Sequence, residues 1–433
     1  MSPIQNIQPR TGHRRALSHI GGPVESSGRE EYAVRLVGIM GCDVDDDAAR
    51  MHVHGFHSYP ARMHPTVARR SVELLSSPSD ILLDPFCGSG TVLVESRLAG
   101  RKCWGADINP LAVLLARLKT RGASTTELRA LVTAARTIAE HADRRRREKR
   151  GASQRYSSED VELFDPHVLL ELDGLRDGIL AETFNLSDDD FVHQALRLVL
   201  SSILIKVSRK PGDTSTTHVP RRLAAGYTIS LFENKALELA DRIYDFCKRL
   251  PRGAPIAKVR EGDARLLESI PNRTVRLVLS SPPYAGTYDY VDQHRLRCRW
   301  LGLNADGMQR SEVGARRHFR PMQHSDAVRR YRDDLVVVLT TLRHKLARGG
   351  LVLLLVADSV VSSTVESRTG PRQEWEPVWV EPMVRRCGED AGLAWVATAS
   401  QVRPHYHAPS RHAFGRQPRR EHLVLLRPAD AGE

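Results

Sequence analysis

Apolar positions along the chain change period repeatedly. Three aliphatic runs, at 81–83, 275–279 and 351–356, are short and nearly unbroken, as strands covered on both faces of a parallel sheet are. Around them apolar residues recur at helical spacing: Val67, Val72 and Leu75 within 64–77, then 91–99, 111–120, 231–250, 325–346 and 382–391. Shorter strand signals stand at 102–106, 257–260, 394–399 and 421–426. Asn109-Pro110 opens one helix with proline near its first position, and Gly100 closes another. This alternation predicts an α/β fold, a doubly wound and mostly parallel sheet of seven strands.

The rhythm breaks at 121–225, which is helical in pattern, strongly charged and poor in strand signals. That segment reads as a helical insertion and a candidate target-recognition region. It separates 51–120, the first half of the core, from 226–433, the second. Residues 1–50 are rich in turn formers and end near the acidic patch at 43–47, so a flexible extension is expected there.

Composition changes this picture in three ways. A chain of 433 residues has material for two or three domains, or for one large core with insertions. The 64 Lys and Arg against 52 Asp and Glu give a net charge of +12, which suits a polyanion partner without separating DNA from RNA; an arginine-rich background accounts for it equally well. The 6 cysteines are scattered, with no Cys-x-x-Cys pair, which argues against a zinc ribbon or a disulfide framework and fits a reducing cytoplasm. No apolar run approaches the roughly 20 residues of a membrane span.

The chemistry concentrates after two of the strands. Asp84-Pro85-Phe86-Cys87-Gly88-Ser89-Gly90-Thr91 follows the run at 81–83, and Ser281-Pro282-Pro283-Tyr284 follows the run at 275–279. Open α/β sheets hold ligands at such strand ends. Asp107 closes the second strand about 20 residues after the glycine loop, the position from which a carboxylate accepts from ribose hydroxyls. Asp263, after the third strand, is placed to accept from an adenine amine. The loop lacks both the dinucleotide glycine pattern and the Gly-Lys-Ser/Thr of a phosphate loop. A nucleoside without phosphates, adenosine on a sulfonium, is the cofactor that remains.

In their order, Asp84 to Thr91, Asp107, Asp263 and Ser281 to Tyr284 resemble the S-adenosylmethionine-dependent amino-methyltransferases of DNA. The resemblance implies the Rossmann-like methyltransferase fold. It implies a cofactor site formed by Tyr59, Pro60, Asp84, Pro85, Phe86, Gly88, Ser89, Gly90, Thr91, Asp107, Ile108, Asp263 and Ala264. Tyr59 and Pro60 belong to the segment 54–65, which resembles the piece lining the methionine end of the cofactor. The catalytic residues implied are Ser281, Pro282, Pro283 and Tyr284, with serine at the first position more usual in the cytosine-N4 branch than in the adenine-N6 branch. Duplex DNA with a flipped base is the implied substrate, and a restriction or defence partner and the oligomeric state stay open. RNA guanine-N2 methylation is the rival activity. A non-enzymatic nucleic-acid-binding protein that keeps the fold is a third reading, and glutamine methylation ranks last.

Several residues carry plainer readings. Cys87 is read as packing. His52, His54, His57 and His64 lack an accompanying Cys or carboxylate set, so no metal is assigned and loop or surface histidines are expected. Tyr288, Tyr290 and Trp300 suit either base stacking or core. Arg144 to Arg147, the segment 206–218, the arginines of 314–332 and the polar tract 359–372 are the candidate phosphate grips.

Overall fold

A computed structural model describes residues 22–42, 46–182, 190–210, 222–367, 370–404 and 408–429. Residues 43–45 of the acidic patch and 211–218 of the candidate phosphate loop lie outside the described residues, as do 368 and 369 of the polar tract.

The first half contains β1 (Val24–Gly28), α1 (Glu30–Met40), α2 (Pro65–Leu75), β2 (Ile81–Asp84), α3 (Thr91–Leu98), β3 (Lys102–Asp107) and α4 (Pro110–Arg121). Four helices follow, α5 (Thr125–Arg147), α6 (Ser158–Leu163), α7 (Pro166–Glu182) and α8 (Phe191–Val207), and then α9 (Tyr227–Arg249). The second half runs β4 (Lys258–Glu261), β5 (Val275–Ser280), α10 (Tyr290–Leu301), α11 (Asp306–Ser311), α12 (Arg316–Phe319), α13 (His324–Lys345) and β6 (Leu346–Ala357). It ends with β7 (Ser359–Ser367), β8 (Gly370–Val378), α14 (Val380–Asp390), β9 (Leu393–Val402), α15 (Ala408–Phe414) and β10 (Arg420–Pro428).

Eight strands form one sheet in the order β1-β9-β10-β6-β5-β2-β3-β4, and β7 and β8 pair separately. The four pairings among β6, β5, β2, β3 and β4 are parallel. The β10 strand runs antiparallel to both neighbours, and β1 antiparallel to β9. Chain order reverses at β2, with β3 and β4 on one side and β5 and β6 on the other, which makes the carboxyl end of β2 a switch point.

Apolar residues fill both faces of the sheet, as its continuous strands require. On one face Val278, Val352 and Val424 pack with Leu335, Leu339 and Leu342 of α13. On the other, Leu277, Leu279 and Leu353 pack with residues of α1, α2 and α3. A third cluster joins α5, α7 and α8 to α9 through Leu131, Leu172, Leu200, Phe232 and Ile243. So α9, expected to resume the α/β alternation, shares its core with the helices that precede it.

Two expectations need correction. The sheet has eight strands in place of seven. The extra one comes from the N-terminal extension, where a flexible segment was expected and β1 and α1 are found. Val24 is half-buried and the other four residues of β1 are exposed, so what holds the strand is a backbone ladder from Val24–Gln401 to Gly28–Ala397. Helix α1 then buries Leu36 and Ile39 completely.

Candidate active site

The ends of β5, β2, β3 and β4 stand side by side on the carboxyl edge of the sheet. The glycine loop leaves β2 there with Gly88 at φ 49° and Gly90 at φ 86°, both in the left-handed region. A Cβ on Gly90 would lie 3.0 Å from the Cα and Cβ of Ala116, so this glycine lets α4 approach the first turn of α3. A Cβ on Gly88 would lie 3.2 Å from the Tyr59 ring, which covers the loop. Tyr59 is itself seated by Asn109 Nδ2, which donates to its hydroxyl at 3.2 Å, and by stacking on His294 at 4.9 Å.

Asp107 ties the loop to β3. The Gly88 N–H donates to its Oδ2 at 2.8 Å and the Asn109 N–H to its Oδ1 at 2.9 Å. Each oxygen keeps a second lone pair. Burial raises this carboxyl from 3.8 to about 6, against those two N–H donors, which pull it down, and with Glu312 and Glu261 adding to the rise.

Asp84 and Ser280 join the two motifs directly. Ser280 Oγ donates to Asp84 Oδ1 at 2.6 Å across 196 residues of sequence, and the Phe86 N–H donates to the same oxygen at 3.2 Å. Burial pushes the Asp84 carboxyl up to about 7. Ser280 immediately precedes the Ser281–Tyr284 tetrapeptide, so this bond fixes the offset between the glycine loop and Ser281. Beyond it, Ser281 Oγ lies 3.2 Å from the Tyr284 hydroxyl, and Tyr331 Oη donates to the Pro283 carbonyl at 2.9 Å. Gly314, at φ 71°, packs under the turn, with the Pro283 carbonyl 3.3 Å from where its Cβ would stand.

Both motifs open into one cleft. Of the residues implied by sequence, Tyr59, Pro85, Phe86, Gly88, Asp107, Ile108, Asp263, Ala264, Ser281 and Pro283 line it. Pro60, Asp84, Ser89, Gly90, Thr91, Pro282 and Tyr284 are in the same two segments but not among its lining residues. Sequence reasoning missed Met308, Ser311, Glu312 and Val313 on the wall, because α11 and the turn after it carry no motif, and read Asn109 only as the residue that opens α4. It also missed Ser280, whose only signal was its place one residue before the tetrapeptide.

The lining contains the carboxylates Asp107, Asp263 and Glu312 and no Lys or Arg. With Asp263 and Glu312 paired to Arg265 and Arg317, the wall still presents no cation of its own, which disfavours a pyrophosphate. The glycine cradle and an acceptor at the end of β3 fit S-adenosylmethionine.

Other readings are altered by the geometry. Asp263 is more engaged than expected: Arg265 reaches both its oxygens, with Nη2 at 2.6 Å from Oδ2, and also binds Asp334 at 2.7 Å. Trp300 is core, its Nε1 donating to Asp160 at 2.9 Å and its ring stacked on Tyr156, whereas Tyr290 reaches the cleft. His52, His54 and His57 are buried where loop or surface positions were expected, and His64 caps α2 by accepting from the Thr66 N–H at 3.2 Å. The arginine run of α5 is largely ion-paired: Arg145 with Asp173 and Asp177, Arg146 and Arg147 with Asp143. Arg316 braces the carbonyls of Gly286 and Thr287, and Arg317 pairs with Glu312, which ties this part of 314–332 to the site wall.

A glycine-cradled cleft at the switch point of such a sheet has the form of a nucleoside-cofactor site, and S-adenosylmethionine is the cofactor that fits it. Residues 39–117 match the family model described as DNA methylase. Type II methyltransferase M.MvaI of Kocuria varians is 25% identical over 273 residues, 58% of this chain and 58% of that protein. Type II methyltransferase M.MjaII of Methanocaldococcus jannaschii is 38% identical over 68 residues, 16% of this chain and 13% of that protein. A tRNA (guanine(10)-N2)-dimethyltransferase of Methanothermobacter thermautotrophicus is 45% identical over 62 residues, 14% of this chain and 18% of that protein. The chain thus spans little more than half the length of the first relative and under a fifth of the other two. Among the described residues no helix is long and apolar enough to cross a membrane.

Proposed function

We propose that this protein methylates an exocyclic amino nitrogen of a base in DNA, cytosine N4 ahead of adenine N6. The observation that carries the reading is the shared cleft, with Gly88 and Ser281 on one wall system and the Ser280–Asp84 bond between them. S-adenosylmethionine, bound over the glycine loop, supplies an electrophilic methyl group. An aromatic amine is a poor nucleophile because its lone pair is delocalised into the ring. Ser281 Oγ and the Pro282 carbonyl accept its two N–H hydrogens and favour a pyramidal nitrogen whose lone pair points at the methyl. The two prolines hold those acceptors in place before the base arrives. Tyr284 keeps the Ser281 hydroxyl oriented and offers a face to a base rotated out of the duplex. Support for DNA over RNA comes from the family match and from the longest alignment, that with the Kocuria varians enzyme. Guanine-N2 methylation of RNA is the second reading, on the strength of the short tRNA-enzyme alignment.

The chain, expressed in a host that lacks its own DNA methylation, should leave N4-methylcytosine in the genome. Mass spectrometry of digested DNA and tRNA nucleosides checks this. N6-methyladenine alone would move the target atom, and N2-methylguanine in tRNA alone would replace the reading.

A further inference from the structure

We propose that His52, His54 and Glu95 bind one divalent transition-metal ion, zinc for this donor set, which staples the Tyr59-bearing segment to helix α3. The three side chains are 7%, 1% and 5% exposed, and each offers one ligand atom within 4.8 Å of the other two. Two imidazole nitrogens and one carboxylate oxygen are donors that zinc, nickel, cobalt and ferrous iron share. Magnesium and calcium, which need several oxygens, are disfavoured. Donors about 2.0–2.1 Å from a tetrahedral zinc lie roughly 3.3 Å apart, so the cluster closes on an ion with shifts on the order of 1 Å.

Two further observations point to a ligand. His52 Nδ1 is buried with no hydrogen-bond partner, which is uncommon for a polar atom away from water. The backbone on either side is clamped from outside the cluster: Arg242 Nη1 donates to the His52 carbonyl at 2.9 Å and Arg62 Nη1 to the His54 carbonyl at 2.7 Å. His54 Nε2 meets Glu95 Oε1 at 2.6 Å, the pair that an ion would bridge. Charged groups facing the cluster from neighbouring elements are Arg62, Arg69, the buried Lys119, and Arg249 and Asp245 of α9. The arginines oppose a weakly held cation, so an ion here depends on direct bonds to all three donors.

The position gives the ion a task. His54 lies five residues before Tyr59, which covers Gly88, and Glu95 lies one turn into the helix that starts after Gly90. A metal here fixes the two sides of the cofactor loop to each other from behind, away from the reacting atoms. The site stands whether or not the base specificity proposed above is correct.

The test is metal content of the full, untagged chain after equilibrium dialysis against micromolar zinc, measured by plasma mass spectrometry. About one zinc per chain is expected, falling roughly tenfold or more in His52→Ala and Glu95→Gln. Chelation should lower the melting temperature of the wild-type chain and leave that of Glu95→Gln unmoved. Wild-type chain that holds no zinc above a control protein, or folded variants that hold as much as wild type, would overturn the site. Should the variants fail to fold, cobalt titration of the wild-type chain decides. A d–d absorption of a nitrogen-ligated, low-coordinate ion is expected, and the spectrum of aqueous cobalt would overturn it.

Discussion

Ser281→Ala is expected to lower turnover by roughly 10²–10³-fold, the size of effect seen when one preorganised polar partner of a transition state is removed. Its affinity for S-adenosylmethionine should stay within about twofold, since Ser281 serves the amine, whose demand for an acceptor grows as its lone pair localises. The surrounding structure supports a clean reading of this variant. Ser281 is half-buried, its hydroxyl lies 3.2 Å from that of Tyr284, and the turn is held from elsewhere by Tyr331 on the Pro283 carbonyl and by Ser280 on Asp84. Single-turnover kinetics beside calorimetric cofactor titration separates the two effects. A variant that loses cofactor affinity and keeps its rate constant would place Ser281 in the cofactor site.

Asp107→Ala is expected to weaken S-adenosylmethionine binding by roughly 10–150-fold, the equivalent of about 1.5–3 kcal/mol for hydrogen bonds to an ionised group. Part of that loss comes from the loop itself, because the Gly88 and Asn109 N–H groups lose their acceptor. Asp107→Asn, which keeps one carbonyl oxygen, should fall between. The same carboxylate sets a pH dependence. Burial holds its proton to about 6, well above the ordinary 3.8, so it is ionised and a full acceptor above pH 7. Cofactor affinity should therefore be flat above about pH 7 and fall by roughly tenfold per unit below 6, where the proton must leave before the ribose is bound. Calorimetry from pH 5 to 8 on wild type and Asp107→Asn checks this. An unchanged affinity in Asp107→Ala would remove the ribose assignment.

Much of the core was legible because its signals are local. The run at 81–83 and the glycines after it announce a buried strand and a loop with left-handed positions, and both are found where they were expected. The same holds for β5 and the tetrapeptide after it, and for the helix that Asn109-Pro110 opens. What escaped was non-local or carried by the backbone. The β1 sequence, Val24-Glu25-Ser26-Ser27-Gly28, has one apolar residue and no alternation, since an edge strand can be held by its ladder alone. Glu95 gave no hint of standing beside His54, 41 residues earlier, because the fold makes that pair and the spacing does not. For the same reason Ser280 and Asp84 looked like separate strand ends. Their bond is a consequence of β2 and β5 being parallel neighbours. Charge was the least informative signal. Three arginines of the run at 144–147 are spent on Asp143, Asp173 and Asp177, although the exposed pairs among them are weak enough to exchange for phosphates.

The central claim, that methyl donor and target base meet in one cleft, is tested most directly by filling that cleft from the catalytic side. Calorimetric titration of Ser281→Trp with S-adenosylmethionine, on protein whose melting curve matches wild type, should show affinity reduced by at least about tenfold, because the indole would occupy space next to Gly88 that the donor needs. Binding indistinguishable from wild type would mean that the tetrapeptide and the glycine loop serve separate cavities, and direct methyl transfer between their occupants would be ruled out.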